Sequence, residues 1–130
     1  MRIKDCYDKG LLRKRRPDPE KSQRAMELAR KDLERAQNLL KSEFYMGSQL
    51  LSYTAMFQAA RALLFRDGVF ERSHACVVEY LKEYFVNKHI LDISFVNWLD
   101  TLRVVRHESL YCTNAENAQS FRAEMNRHRQ

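Results

Sequence analysis

Apolar residues recur at helical spacing through most of this chain. Between residues 19 and 42, Met26, Ala29, Leu33, Ala36 and Leu40 alternate at intervals of three and four among Glu, Lys and Arg, which predicts an amphipathic helix with one buried stripe. Pro17-Asp18-Pro19-Glu20 sets its start, because two prolines exclude a helix interior while Asp18 can cap a helix whose first residue is Pro19. Gly47-Ser48 opens a second run in which Leu50, Tyr53, Phe57, Ala60 and Leu64 share a face, while Ala55, Ala59 and Ala62 keep other sides slim. That helix is expected to be central, touching several neighbours. It should stop at Asp67-Gly68, since glycine readily takes the left-handed conformation that closes a helix.

Ser73 is expected to cap a third helix running to about Val86, with Cys76 or Val77, Tyr80 or Leu81, and Tyr84 or Phe85 facing inward and Asn87-Lys88-His89 as its exit. A fourth helix from about Asp92 presents Phe95, Leu99 and Leu102, and Arg106 takes the next place on that stripe. After Tyr111, Cys112-Thr113-Asn114 marks a break, and Ala115 to Arg129 predicts a mostly polar last helix anchored by Ala118, Phe121 and Met125. With so few anchors, that helix is expected to lack part of its length. The pattern predicts an all-α bundle.

Composition agrees. With 130 residues, 45% of them apolar, the chain suits one hydrophobic core, and three glycines and two prolines suit long helices better than a turn-rich β fold. The expected division is a basic arm over residues 1–18 and a single helical domain over 19–130. The net charge of +6 is concentrated at one end: residues 1–16 hold seven Lys or Arg against two Asp, a balance of +5. A near-neutral body with a basic arm points less strongly to nucleic acid than a uniformly basic domain would, because phosphate attraction follows local charge density. Arg13, Lys14, Arg15 and Arg16 are the arm's candidate contacts; the plain alternative is a solvated terminal segment.

Cys6, Cys76 and Cys112 are odd in number and widely spaced, so neither a disulfide framework nor a C-x-x-C metal knuckle is expected, and a reducing compartment fits them. The most apolar stretch, Leu50 to Phe65, is interrupted by Ser52, Gln58 and Arg61 and falls short of the roughly 20 residues of a membrane helix. No apolar run follows Met1, and a cytoplasmic protein is expected. No two histidines have metal-site spacing, and no phosphate-cradling glycine loop or nucleophile elbow is present. Neither a metal nor another cofactor is expected.

The candidate chemistry lies at Arg106-His107-Glu108-Ser109-Leu110-Tyr111. Helical phase brings Arg106 toward the bundle, with Arg103 on its flank, and a guanidinium cannot shed its proton. Each therefore needs a carboxylate, a carbonyl, water or a ligand phosphate; an ion pair, or the favourable field of a helix C-terminus, is the plain explanation. His107, Glu108 and Tyr111 add a base, a carboxylate and a phenol, although His107 projects about 100° away from Arg106 on a helix. His74, directly after Ser73, reads as a capping or packing residue; His89 and His128 read as loop and terminus.

The segment S-Y-T-A-M-F-Q-A-A-R-A-L-L-F over residues 52–65, followed by Asp67-Gly68, Ser73-His74 and Arg106 to Tyr111, resembles the HEPN family. Gly10-Leu11 with its basic neighbours and Pro17 to Glu20 are similar to the first segment of one prokaryotic branch, so the resemblance covers nearly the whole chain. It implies an antiparallel bundle of four to five helices, a homodimer, and a minimal nucleotidyltransferase as partner in a toxin–antitoxin-like system. Many such domains are metal-independent ribonucleases whose signature is an Arg, four to six residues, then a His at the end of the helix matching the fourth one here. The signature Arg falls on Arg106, but Leu110 or Tyr111 fills the place of the His.

Three functions follow as expectations. The first is a module with a degenerate ribonuclease motif that binds its partner, and RNA or nucleotide, around Arg103 and Arg106. The second is an active endoribonuclease in which His107, Glu108 or Tyr111 replaces the missing base beside Arg106. The third is a structural dimer in which Arg106 merely pairs with an acidic neighbour.

Overall fold

A computed structural model describes residues 2–111, with side chains through His107. Its elements are α1 (Ile3–Asp8), β1 (Leu12–Lys14), α2 (Pro19–Lys41), α3 (Tyr45–Asp67), β2 (Val69–Glu71), α4 (His74–Leu81), a π-helical turn (Lys82–Val86) and α5 (Ile93–Tyr111). The fold is an all-α, HEPN-like bundle carrying one small two-stranded sheet among the described residues. The last helix expected over 115–129, with Cys112 and His128, lies outside the described residues.

The helix boundaries follow from local chemistry. Asp18 accepts a hydrogen bond from the Lys21 amide at 3.0 Å, and Pro19 occupies the first position of α2. The Ser73 hydroxyl accepts from the Cys76 amide at the start of α4. Gly68 closes α3 at φ +79°. Glycine is required at Gly68 for a second reason: a Cβ there would stand 2.5 Å from the Arg15 carbonyl oxygen and 3.0 Å from the Pro17 nitrogen. The α4 helix ends in a π-helical turn, and His89 at φ +59° reverses the chain toward α5.

The buried line of α2 differs from the expected stripe. It runs through Ala25, Ala29, Asp32 and Ala36, leaving Leu33 49% exposed and Leu28 39% exposed. Small side chains let α2 approach α3 closely enough for two hydrogen bonds from side chain to backbone. The Ser22 hydroxyl donates to the Ala62 carbonyl at 2.7 Å, and Ser48 donates to the Ala36 carbonyl at 2.8 Å. Both satisfy polar groups inside the seam, where alanine and serine, rather than leucine, allow the close approach.

The main core is filled from α3 by Tyr53, Phe57, Ala60 and Leu64, from α4 by Val77 and Leu81, and from α5 by Val96, Leu99 and Leu102. The N-terminal segment joins this core and is not a solvated arm. Cys6 and Leu12 are buried, and β1 pairs antiparallel with β2 in the register Leu12–Glu71, Arg13–Phe70 and Lys14–Val69. Cys6 of α1 and Cys76 of α4, 70 positions apart in sequence, form a disulfide with Cα atoms 5.8 Å apart. This corrects the expectation from cysteine spacing: three cysteines, widely separated, give no local signal that a terminal helix will fold back onto α4. No described helix is long and apolar enough to cross a membrane.

Candidate phosphate site at His74 and Arg106

The stripe that buries Val96, Leu99 and Leu102 ends with Arg106 half-buried against α3, as its helical phase demands. Its guanidinium carbon lies 5.5 Å from the centre of the Tyr53 ring. Tyr53 is nearly inaccessible, and its hydroxyl is hydrogen-bonded to Nδ1 of His74 at 2.5 Å. The His74 ring also packs on Phe57, with ring centres 3.9 Å apart and planes inclined by 36°. Thus α3, the first turn of α4 and the second half of α5 converge on one half-buried imidazole.

Burial, and then the positive charge of Arg106, Arg103 and Arg61, hold the His74 pKa below its ordinary value. Its imidazole is therefore neutral at physiological pH. Burial pushes the Tyr53 phenol up to about 12, against the opposing pull of Arg106 and Arg103, so it keeps its proton. A neutral phenol bonded to a neutral imidazole admits two arrangements. If Tyr53 donates, His74 presents Nε2–H; if His74 donates from Nδ1, it presents a bare Nε2 that can accept a proton.

The local charges do not cancel. Arg61 pairs with Glu71 at 3.0 Å, although its Nε–H does not point along that line, and burial raises the Glu71 pKa against the lowering influence of Arg61. Arg103 directs Nε and Nη2 at one Asp100 oxygen, at 3.1 and 3.0 Å. Arg103 has thus taken the plain ion-pair explanation. No ion pair among the described residues involves Arg106. A cation without a described carboxylate, beside a neutral donor or acceptor, suits a bound anion carrying several oxygens.

Residues 22–126 match the family model of the HEPN domain. This chain belongs to the HEPN family. Two proteins of Methanocaldococcus jannaschii are among the curated proteins similar to it. "Putative toxin MJ0142" is 27% identical over 94 residues, covering 72% of this chain and 64% of the relative. "Putative toxin MJ0605" is 30% identical over 73 residues, covering 56% of this chain and 54% of the relative. The matched part therefore spans less than two thirds of either relative. No solved structure matches the chain.

The residues that the sequence singles out in this HEPN chain lie in different surroundings. Arg106 and Arg103 share the neighbourhood of His74, whereas His107 is exposed on α5 and is absent from the charges that act on His74. The side chains of Glu108 and Tyr111 lie outside the described residues. Arg13, Lys14, Arg15 and Arg16 are exposed but do not form one cluster: Lys14 reaches over Tyr7 at 5.9 Å, while Arg15 lies over Phe70 at 5.4 Å. Sequence reasoning missed Tyr53 and His74 as members of the site. The packing assigned to His74 is present, since it lies on Phe57, but the sequence showed nothing of its bond to Tyr53. Among the described residues, no cluster of three or more His, Cys, Asp or Glu side chains is placed to hold a metal ion.

Proposed function

We propose that this chain is the RNA-directed HEPN module of a toxin–antitoxin-like pair, with Arg106 as its principal phosphate contact and His74 and Tyr53 as the neutral groups beside it. The observation that carries this reading is Arg106 over Tyr53 with no described acidic partner. The HEPN match and the toxin names of its relatives support a toxin-like role. A homodimer and a minimal nucleotidyltransferase partner belong to the same proposal and rest on the sequence resemblance. The site of action is the cytoplasm, where RNA targets reside; the Cys6–Cys76 bond would be shielded there by complete burial of both sulfurs.

A second reading, an active metal-independent endoribonuclease, is favoured by one specific observation. His74 can supply the base that the α5 motif lacks, because its lowered pKa leaves it free to accept a proton at neutral pH. In this reading Nε2 takes the proton of a ribose 2′-hydroxyl, the oxygen attacks the adjacent phosphorus, and the 5′-oxygen leaves with a proton from water. Arg106 steadies the charge on the phosphate oxygens.

Binding and cleavage of labelled single-stranded RNA, in the presence of a chelator, separate these readings. RNA binding that falls at least about tenfold in Arg106→Ala, the loss of one charge-assisted contact, supports the proposal. Cleavage abolished by His74→Gln, with binding retained, supports the nuclease reading. RNA affinity indifferent to Arg106 defeats both.

A further inference from the structure

The site does not end at His74. On its far side, the Phe57 ring carries the Arg61 guanidinium at 5.9 Å, and Arg61 also lies 5.0 Å from the centre of Phe65. Lys21 of α2 stands over Phe65 at 5.8 Å and over Phe70 at 4.9 Å, and Arg15 covers Phe70 at 5.4 Å. A row of contacts thus runs from Arg106 across the three rings of Tyr53, His74 and Phe57 to Arg61, and from there through Phe65, Lys21 and Phe70 to Arg15, with no step longer than 5.9 Å.

Along this row a cleft of about 260 Å³ opens between α2 and α3, lined by Lys21, Arg24, Gln58, Arg61 and Phe65 together with Ala25 and Leu28. Phe57 and Phe65 are themselves 8% and 7% exposed, so the rings serve as floor and the cations as the presented surface. Each cation held against a ring has lost part of its side-chain freedom before any ligand arrives, which lowers the entropy cost of binding. Arg61 is in an ion pair with Glu71, whereas Lys21, Arg15 and the neighbouring Arg24 are in none among those of the described residues. Glu20 and Glu27 stand one turn before and after Arg24, so by helical phase they flank its outer side, about 100° and 120° round from Lys21, and neither is in an ion pair with Lys21 or Arg24 among those of the described residues.

A single small anion has no use for cations spread over three elements. A chain of regularly spaced phosphates does, and floor-mounted cations tolerate any base sequence. We infer that the α2–α3 cleft is an RNA track, a second contact region that receives the phosphodiester backbone of a single strand whose reacting or anchored phosphate sits at Arg106. This deepens, and rests on, the RNA-directed reading above.

The test is fluorescence anisotropy with a single-stranded RNA tetranucleotide and with an RNA about three times longer, on the full chain. For the wild type, the longer RNA should bind more tightly. In the double variant Lys21→Ala/Arg24→Ala, affinity for the longer RNA should fall about tenfold, and the slope of log K against log salt should shrink by about 1.4, or 0.7 for each lost phosphate contact. Tetranucleotide binding should not change. Equal wild-type affinity for both lengths, or a double variant that weakens both RNAs alike or neither, overturns the track and leaves the Arg106 site standing. A wild-type chain that binds neither RNA overturns the RNA-directed reading itself, and the track with it. Circular dichroism should show the double variant folded, since both side chains are at the surface of α2.

Discussion

Breaking the Cys6–Cys76 cross-link should cost this fold about 4 kcal/mol. The bond ties together residues separated by 70 positions, so in the unfolded chain it forbids the conformations in which α1 and α4 lie apart. Closing a loop of that length removes roughly 15 cal/mol/K of chain entropy, or about 4 kcal/mol at 25 °C. Single domains are stable by only about 5–15 kcal/mol, so the loss is a large share of the total. The folded state loses little in exchange, because both sulfurs are fully buried and can stay packed as thiols. Urea unfolding followed by circular dichroism compares the oxidised chain with chain reduced in denaturant and refolded under reductant. With a slope of roughly 2 kcal/mol per molar urea, the midpoint should drop by about 2 M. Midpoints within about 0.5 M of each other would refute the reasoning, as would native protein prepared in air whose Cys6 and Cys76 both react with a thiol reagent after unfolding without reductant.

Other consequences are open to direct measurement. Gly68→Ala should destabilise the chain by at least about 2 kcal/mol in urea, because the left-handed backbone and the 2.5 Å approach of the Arg15 carbonyl act together. Arg106→Ala should cost no more than about 1 kcal/mol, the scale of a cation–π contact; a loss of about 3–5 kcal/mol would reveal a buried ion pair and favour a purely structural dimer. The lowered pKa of His74 makes stability depend on pH in one direction. Above the unfolded value of about 6.5 its contribution is complete, and as pH falls through 6.5 toward the lower folded value the unfolded chain takes the proton first, so stability declines. His74→Gln should flatten that part of the profile, measured by urea unfolding between about pH 5 and 8.

Much of the scaffold was legible because it depends on local signals. The Asp18-Pro19 start, the Ser73 cap and the Gly68 stop are each decided by one residue's hydrogen bonds or backbone freedom, and each stands where the sequence puts it. The stripe on α5 likewise delivers Arg106 to the bundle through periodicity alone. Failures arose where distant segments compete for one place. A leucine spacing on α2 suggested Leu33 as a core residue, but the close α2–α3 seam needs alanine and serine. Residues 2–18 looked like a charged arm because each short element is too brief to show a period, whereas pairing of β1 with β2 and of Cys6 with Cys76 depends on tertiary contacts. Adjacency on one helix points to His107, Glu108 and Tyr111 beside Arg106, whereas the bond of His74 to Tyr53, 21 residues away on another helix, depends on tertiary packing that no local pattern shows.

The most direct test of the Arg106–His74–Tyr53 site is the titration of the His74 ring by NMR, with and without a single-stranded RNA tetranucleotide. An RNA phosphate at Arg106 adds negative charge beside an imidazole whose pKa is held down partly by Arg106, so RNA should raise the His74 pKa in the wild type. In Arg106→Ala the free-state pKa should already be higher, and added RNA should move it little. A His74 titration unchanged by saturating RNA and unchanged by loss of Arg106 would contradict the site.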